Sequence, residues 1–192
     1  MELNDVIQKR RALRALEKVK ITDDMVNKLA RTAGLSASCF NKQPWRFVFV
    51  RNEDVLKNLF GALSRGNQWA ERASMIVAVF SDKELDCVVG EREYFLFDTG
   101  MATAFMLLKA TEMGLVAHPI AGFDEDKAKE VLGIPAAKRL ITLVIVGKHA
   151  DNPEELLNEK QLERELYRPK RLELPEIMFW DGYSSSSNMS SE

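Results

Sequence analysis

Ser36-Ala-Ser-Cys-Phe-Asn-Lys-Gln-Pro-Trp45 runs directly into Arg46-Phe-Val-Phe-Val50, a polar loop feeding a strand rich in aromatic and β-branched residues. Pro44 fixes a turn and Asn41 favours one, so the plain reading of the loop is turn chemistry before a strand. The same loop presents the amides of Asn41 and Gln43, which suit the edge of a heterocycle. Upstream, Arg10-Arg-Ala-Leu-Arg14 offers three guanidinium groups, each able to grip a phosphate through paired, charge-assisted hydrogen bonds. Taken alone, those arginines read as a solvated helix face. Taken together, amides for a heterocycle and arginines for a phosphate point to a bound mononucleotide. A flavin would supply chemistry that no side-chain constellation of this chain supplies.

Working outward, Asn4 or Asp5 caps a first helix whose apolar stripe is Val6, Ile7, Leu13 and Leu16. On that helix Arg10 and Arg14 share a face and Arg11 turns elsewhere. Thr22 caps a second helix ending at Gly34, with Met25, Leu29, Ala30 and Ala33 inward and Asp23 and Asp24 at the positive end of the dipole. Asn52 caps a third, reaching about Leu63. Residues 73–80 and 140–146 read as buried strands, the second ending at Gly147, and 116–120 as a short extended segment. A long apolar helix runs from about Glu91 to Met113, and another starts at Phe123 and reaches Leu132. The sum is an α+β fold, a small mixed or antiparallel sheet flanked by helices. Residues 1–171 read as one domain. Residues 172–192 read as a C-terminal arm, carrying Ile177, Met178, Phe179, Trp180 and Tyr183 and needing a partner subunit to bury them.

With 46% hydrophobic and 29% charged residues, this is an ordinary globular composition. A net charge of −2 gives no footprint for nucleic acid or an anionic membrane. The apolar run Tyr94–Leu108, broken by Asp98, is shorter than the roughly 20 residues a bilayer span needs. Two cysteines, two histidines and no basic leader argue for a cytoplasmic protein without a disulfide framework or a zinc site. Cys39 has no basic side chain placed to activate it as a nucleophile. Trp45 reads as a core anchor, His118 as a packing or hydrogen-bonding residue, and the Met101, Phe105, Met106 and Met113 series as core or dimer packing. No Gly-x-Gly-x-x-Gly is present, which argues against a Rossmann dinucleotide unit.

The ordered motifs are similar to those of the FMN-dependent nitroreductase-like family. Arg10-Arg-Ala-Leu-Arg14 resembles its Arg-Arg-Ser-x-Arg opening, and Ser38-Cys-Phe-Asn-Lys-Gln-Pro-Trp45 its Ser-Ser-x-Asn-x-Gln-Pro-Trp loop. Gly66-Asn-Gln68, His118-Pro-Ile-Ala-Gly-Phe-Asp124 and the Arg171 to Trp180 ending fall in the family's order. The resemblance implies a homodimer with a swapped C-terminal arm and FMN at the subunit interface. It also implies ping-pong use of NADH or NADPH to reduce a small-molecule acceptor such as a nitroaromatic or quinone. Arg10, Arg11, Ala12 and Arg14 would hold the phosphate and ribityl end, with Arg14 nearer the ring as an electrostatic stabiliser. Ser38, Cys39, Asn41 and Gln43 would reach the other subunit's flavin, and Asn67 and Gln68 its pyrimidine edge. Pro119, Ile120, Ala121 and Gly122 would lie against the ring. Lys148, Arg168, Lys170 or Arg171 would complete the phosphate site, Arg171 being preferred.

Departures from the pattern sharpen the alternatives. Ala12 stands where a serine is usual, Ala37 and Cys39 replace a proline and a serine, and Ala121 stands where some members carry a glutamate. A specialised flavin reductase or reductive dehalogenase, and a flavin-binding protein without nicotinamide-driven turnover, are the competing readings.

Overall fold

The structure is a computed structural model and describes residues 2–183; the serine-rich tail lies outside the described residues. In chain order the elements are α1 (Leu3–Lys9), β1 (Leu16–Glu17), α2 (Asp23–Gly34), β2 (Arg46–Val50), α3 (Glu53–Phe60) and β3 (Met75–Ser81). A small hairpin follows, β4 (Val88–Val89) and β5 (Arg92–Glu93), then α4 (Phe95–Glu112), β6 (Val116–Ile120), α5 (Glu125–Leu132), β7 (Arg139–His149), α6 (Glu159–Leu166) and α7 (Leu174–Ile177). β7 organises the sheet. It pairs with β3, with β6 and, at its far end, with β1, while β2 joins the outer side of β3. Every one of these pairings is antiparallel.

Both faces of the sheet are covered, so β3 and β7 read as nearly continuous apolar runs rather than alternating ones. The two-residue period still sorts their side chains. Ile76, Ala78, Leu143 and Ile145 enter one core with Leu56, Leu59, Trp69 and Ile120. Met75, Val77, Val79, Val144 and Val146 enter the other with Leu29, Trp45, Ala102 and Met106. Thus α3 and α5 lie over one face and α2 and α4 over the opposite one.

The caps expected of Thr22 and Asn52 form and Asp124 adds another, whereas the cap expected of Asn4 or Asp5 does not: α1 follows Glu2 and has no side-chain cap. Thr22 Oγ1 accepts the Met25 N–H at 3.3 Å, Asn52 Oδ1 those of Asp54 and Val55, and Asp124 Oδ1 that of Lys127. Trp45 is a core residue, as expected. Gly133 ends α5 with φ +65°, a left-handed stop that glycine adopts freely.

The third helix ends at Phe60 rather than near Leu63, and four further expectations change. The first helix stops at Lys9 rather than reaching Leu16, so Arg10, Arg11 and Arg14 lie on extended chain and not on a helix face. The reason is tertiary. The Arg14 and Ala15 amides donate to the buried Glu165 carboxylate at 2.9–3.0 Å, and Leu16 and Glu17 pair with His149 and Lys148. A helix through Leu16 would withdraw those amides. Second, α4 begins at Phe95 because Arg92–Glu93 is taken into the hairpin. Third, the last strand runs past Gly147 to His149, since β1 offers it partners there. Fourth, Cys39 and Cys87 form a disulfide across 48 residues, where the cysteine count led us to expect none.

Among the described residues no helix is long and apolar enough to cross a membrane. α4 is not buried all round: Phe97 and Phe105 are exposed, as are Leu172, Leu174, Ile177 and Trp180 of the C-terminal segment.

Candidate cofactor site

Two segments more than 150 residues apart meet around one cavity of about 470 Å³, lined by Arg10, Arg11, Ala12, Arg14, Arg164, Arg168, Pro169 and Arg171. Glu165 is what brings them together. It is 3% exposed, and its carboxylate receives the amides of Arg14 and Ala15 and contacts His149 Nε2 at 3.1 Å. That fastens α6 to the chain between α1 and β1. Arg11 Nη2 donates to the Arg164 carbonyl at 3.1 Å, and Arg168 donates to the carbonyls of Gln8 and Arg10. Among the described residues no carboxylate lines the cavity. Burial first, and then the charges of Arg168 and Arg171, depress the Arg10 pKa below its usual range. Six arginines line the cavity, and a dianionic phosphate with several oxygens matches the positive charge gathered there. The residues fit the phosphate end of FMN.

Beside this cavity stands a stack of side chains. The Arg14 guanidinium lies over the Trp69 ring, 5.8 Å from its centroid, and the His118 imidazole lies 4.7 Å from the same ring. His118 Nδ1–H donates to the Leu13 carbonyl at 3.0 Å. Burial outweighs that hydrogen bond and pulls the His118 pKa down to about 4, so the ring is neutral near pH 7 and adds no charge beneath Arg14. Asn67 then ties the stack to β6 and the turn after it. Its Oδ1 accepts the Trp69 indole N–H at 3.2 Å and its Nδ2 donates to the Gly122 carbonyl at 2.8 Å. A Cβ on Gly122 would come within 2.5 Å of that Nδ2, so only glycine allows the contact.

The other residues singled out from the sequence are distributed unevenly. Gln68 and Ala121 are exposed and Pro119 is half-buried. Ile120 is a core side chain, and its carbonyl accepts the Thr142 hydroxyl, so ring contact from Ile120 has to come from elsewhere on its backbone. Lys148 pairs with Glu17 at 2.6 Å and Lys170 with Glu173 at 3.4 Å; neither lines the arginine cavity, whereas Arg168 and Arg171 do.

The loop 38–43 forms a second cluster, and among the described residues no hydrogen bond joins it to the arginine cavity. Phe40, Asn41 and Gln43 all have left-handed φ values, 47°, 55° and 51°. Such backbone costs of order 1–3 kcal/mol per non-glycine residue and persists only where neighbours hold it. Here Ser38 Oγ accepts the Gln43 N–H at 2.9 Å, the Ser38 carbonyl accepts the Asn41 N–H, and Asp98 Oδ2 accepts the Cys39 N–H at 2.6 Å. Cys39 also bonds Cys87 through sulfur and accepts the Lys42 N–H on its carbonyl. Its polar groups are therefore committed within its own chain, and the cofactor contact expected of it has no free donor or thiol to use. Asn41 and Gln43 remain exposed, with their side chains available to a neighbouring molecule.

Glu165, Arg164, Trp69 and Asp98 were not singled out as site residues from the sequence. Glu165 and Arg164 sit in a charged helical stretch that looks solvated, Trp69 looks like ordinary core, and Asp98 looks like an interruption in an apolar helix. Only their tertiary neighbours reveal them.

Comparison with known proteins places this geometry in a family. The nitroreductase family profile matches residues 7–79 and 62–148. An uncharacterised 15.4 kDa protein of Mycolicibacterium smegmatis is 33% identical over 129 residues, covering 66% of this chain and 83% of that protein. A Thermus thermophilus protein named NADH dehydrogenase is 24% identical over 203 residues, covering 90% of this chain and 92% of its own. A crystal structure described as an oxidoreductase containing FMN superposes with a TM-score of 0.83 at 26% identity, covering 96% of this chain and 94% of that one. The antiparallel sheet, the helices on both faces and the matched sequence together make this chain a member of the nitroreductase family.

Proposed function

We propose that the chain is an FMN-dependent oxidoreductase that uses NADH or NADPH to reduce small electron acceptors, nitroaromatics or quinones among them. The observation that carries this reading is the uncompensated arginine cavity lying against the Arg14–Trp69–His118 stack. Similarity to an FMN-containing oxidoreductase and to a protein named NADH dehydrogenase supports it. FMN, when bound, supplies the two-electron redox chemistry. The chain's own residues bind and bias it. Arg10, Arg171 and their neighbours would hold the phosphate end, and the 119–122 segment, braced by Asn67 through the Gly122 carbonyl, would lie against the ring. Arg14, propped on Trp69, offers positive charge that raises the cofactor's affinity for electrons. Neutral His118 keeps that charge uncontested. Donor and acceptor would occupy one face in turn, as ping-pong kinetics require.

The reading includes a homodimer. Residues 1–171 form the cofactor-binding domain, and the 172–192 arm docks on a second copy. The exposed Leu172, Ile177, Phe179 and Trp180 support this, as does an apolar groove of about 460 Å³ bordered by Leu3, Ile7, Phe105 and Leu108. In that assembly Ser38, Asn41 and Gln43 serve the neighbour's cofactor. Light scattering of the full chain and of a chain ending at residue 171 tests it: a dimer is expected for the first and a weakened one for the second. FMN titration followed by NADH or NADPH under anaerobic conditions tests the chemistry. Tight FMN binding without reduction by either nucleotide would favour a flavin-binding protein without nicotinamide-driven turnover.

A further inference from the structure

The disulfide lies at the edge of the molecule, not in either core. Cys39 belongs to the loop 38–43, and Cys87 immediately precedes the exposed hairpin β4–β5; both are partly exposed and neither is a member of a core cluster. The two cores on either face of the sheet are built without either sulfur. What the bridge constrains is local: it clamps a loop with three left-handed non-glycine residues to the segment leading into α4. One hydrogen bond repeats the link, from the Cys39 N–H to Asp98 of α4, while the Cys87 N–H donates at 2.8 Å to its own neighbour Asp86.

We propose that Cys39 and Cys87 form a reversible thiol–disulfide site, reduced by a dithiol, whose closed state locks the 38–43 loop and whose open state releases it. The consequence for cofactor binding rests on the reading above, in which this loop serves the neighbour's FMN. Chemically, a thiolate of the dithiol attacks one Sγ; the S–S bond breaks and its electron pair leaves on the other Sγ. The second thiol of the reductant then displaces the mixed disulfide. Two electrons and two protons pass to the protein, which ends as two thiols, and the dithiol ends as its disulfide.

A partly buried carboxyl group stands beside the sulfurs. Asp86 has a buried carboxylate oxygen, Oδ2, without a hydrogen-bond partner, and a carboxylate oxygen of Asp86 and both Sγ atoms lie within 4.8 Å of one another. Burial and the adjoining Asp98 push the Asp86 carboxyl up, while the Cys87 amide and Lys42 oppose that push. One bridge in a chain of 192 residues is also not the dense framework of a disulfide-stabilised scaffold; lone bridges in reducing compartments are redox-sensing or catalytic.

The test uses the full-length native protein, air-oxidised or treated anaerobically with dithiothreitol. An aromatic disulfide reagent counts thiols, hydrogen exchange reads the 36–44 peptide, and fluorescence quenching reads FMN affinity. The expected results are no free thiol before treatment and two after it. Loop amides should exchange at least about tenfold faster in the reduced state, with full recovery on reoxidation. Cys87→Ser should show the fast exchange permanently; if that variant fails to fold, chemical reduction of the natural chain decides. A bridge that dithiothreitol opens only after denaturation, a purified protein that never forms it, or identical loop exchange in both states overturns the proposal. Faster exchange without any FMN binding supports the switch and removes the flavin reading, so the two fail separately.

Discussion

The arginine cavity and the loop around Cys39 are assembled in opposite ways. Each joins distant segments, 10–14 with 164–171 in the first and 38–43 with 86–98 in the second. The cavity gathers like charges with no carboxylate among its described lining residues, so an anion is the ligand it suits. The loop cluster answers its own groups: backbone amides meet carboxylates, a hydroxyl meets an amide, and sulfur meets sulfur. One region stores binding capacity as electrostatic repulsion. The other holds a demanding backbone shape ready for a neighbour. A ligand site of this kind needs both, a pocket that wants charge and a rim that keeps its form without it.

The largest effect should come from cutting the rim. Cys87→Ser removes a cross-link spanning 48 residues and should lower unfolding free energy by about 4 kcal/mol, read by urea denaturation with the wild type kept oxidised. A loss below about 1 kcal/mol would mean the loop is held by its hydrogen bonds alone. Next, Glu165→Ala strands the Arg14 and Ala15 amides and should cost about 3 kcal/mol while also lowering FMN affinity, because the cavity loses its hinge. Glu165→Gln, which keeps an acceptor, should cost roughly half as much. Stability without FMN loss in Glu165→Ala would break the claim that this carboxylate shapes the cavity.

His118 supplies a pH test. Its folded pKa of about 4 lies below the ordinary 6.5, so its contribution is present in full above pH 6.5 and is lost as pH falls toward 4. From pH 7 to pH 5 it should remove about 2 kcal/mol of stability. Denaturation curves of wild type and His118→Gln at both values isolate that slope; parallel curves would contradict the burial argument. The smallest effect is the most local. Arg171→Ala should weaken FMN binding by about tenfold through one lost charge-assisted contact, and Lys148→Ala should weaken it less, since Lys148 is paired with Glu17 outside the cavity. Equal losses would move the phosphate site.

Much of the fold was legible because it depended on local chemistry. Thr22 and Asn52 announce their helices, and the apolar runs at 73–80 and 140–146 announce central strands. The first helix was misjudged because Leu13 and Leu16 reach the core from extended chain, a choice made by Glu165 across 150 residues. The hairpin before α4 was missed for a similar reason: nothing in Val88–Glu93 outweighs the helical pattern that follows it. For the site, the arginine motif and the 38–45 loop were visible as residue types. Arg168 and Arg171 entered only through the family resemblance, and Arg164 and the Asp98 and Asp86 anchors were not visible, because charged residues look alike in sequence whether they face solvent or a pocket.

The central claim is that the arginine cavity holds FMN for nicotinamide-driven chemistry. It is tested most directly by the anaerobic visible spectrum of the FMN-loaded protein before and after NADH or NADPH. The account predicts a yellow protein that bleaches on addition of at least one of them and recovers its colour when an acceptor is supplied. A protein that stays colourless after incubation with FMN would contradict it.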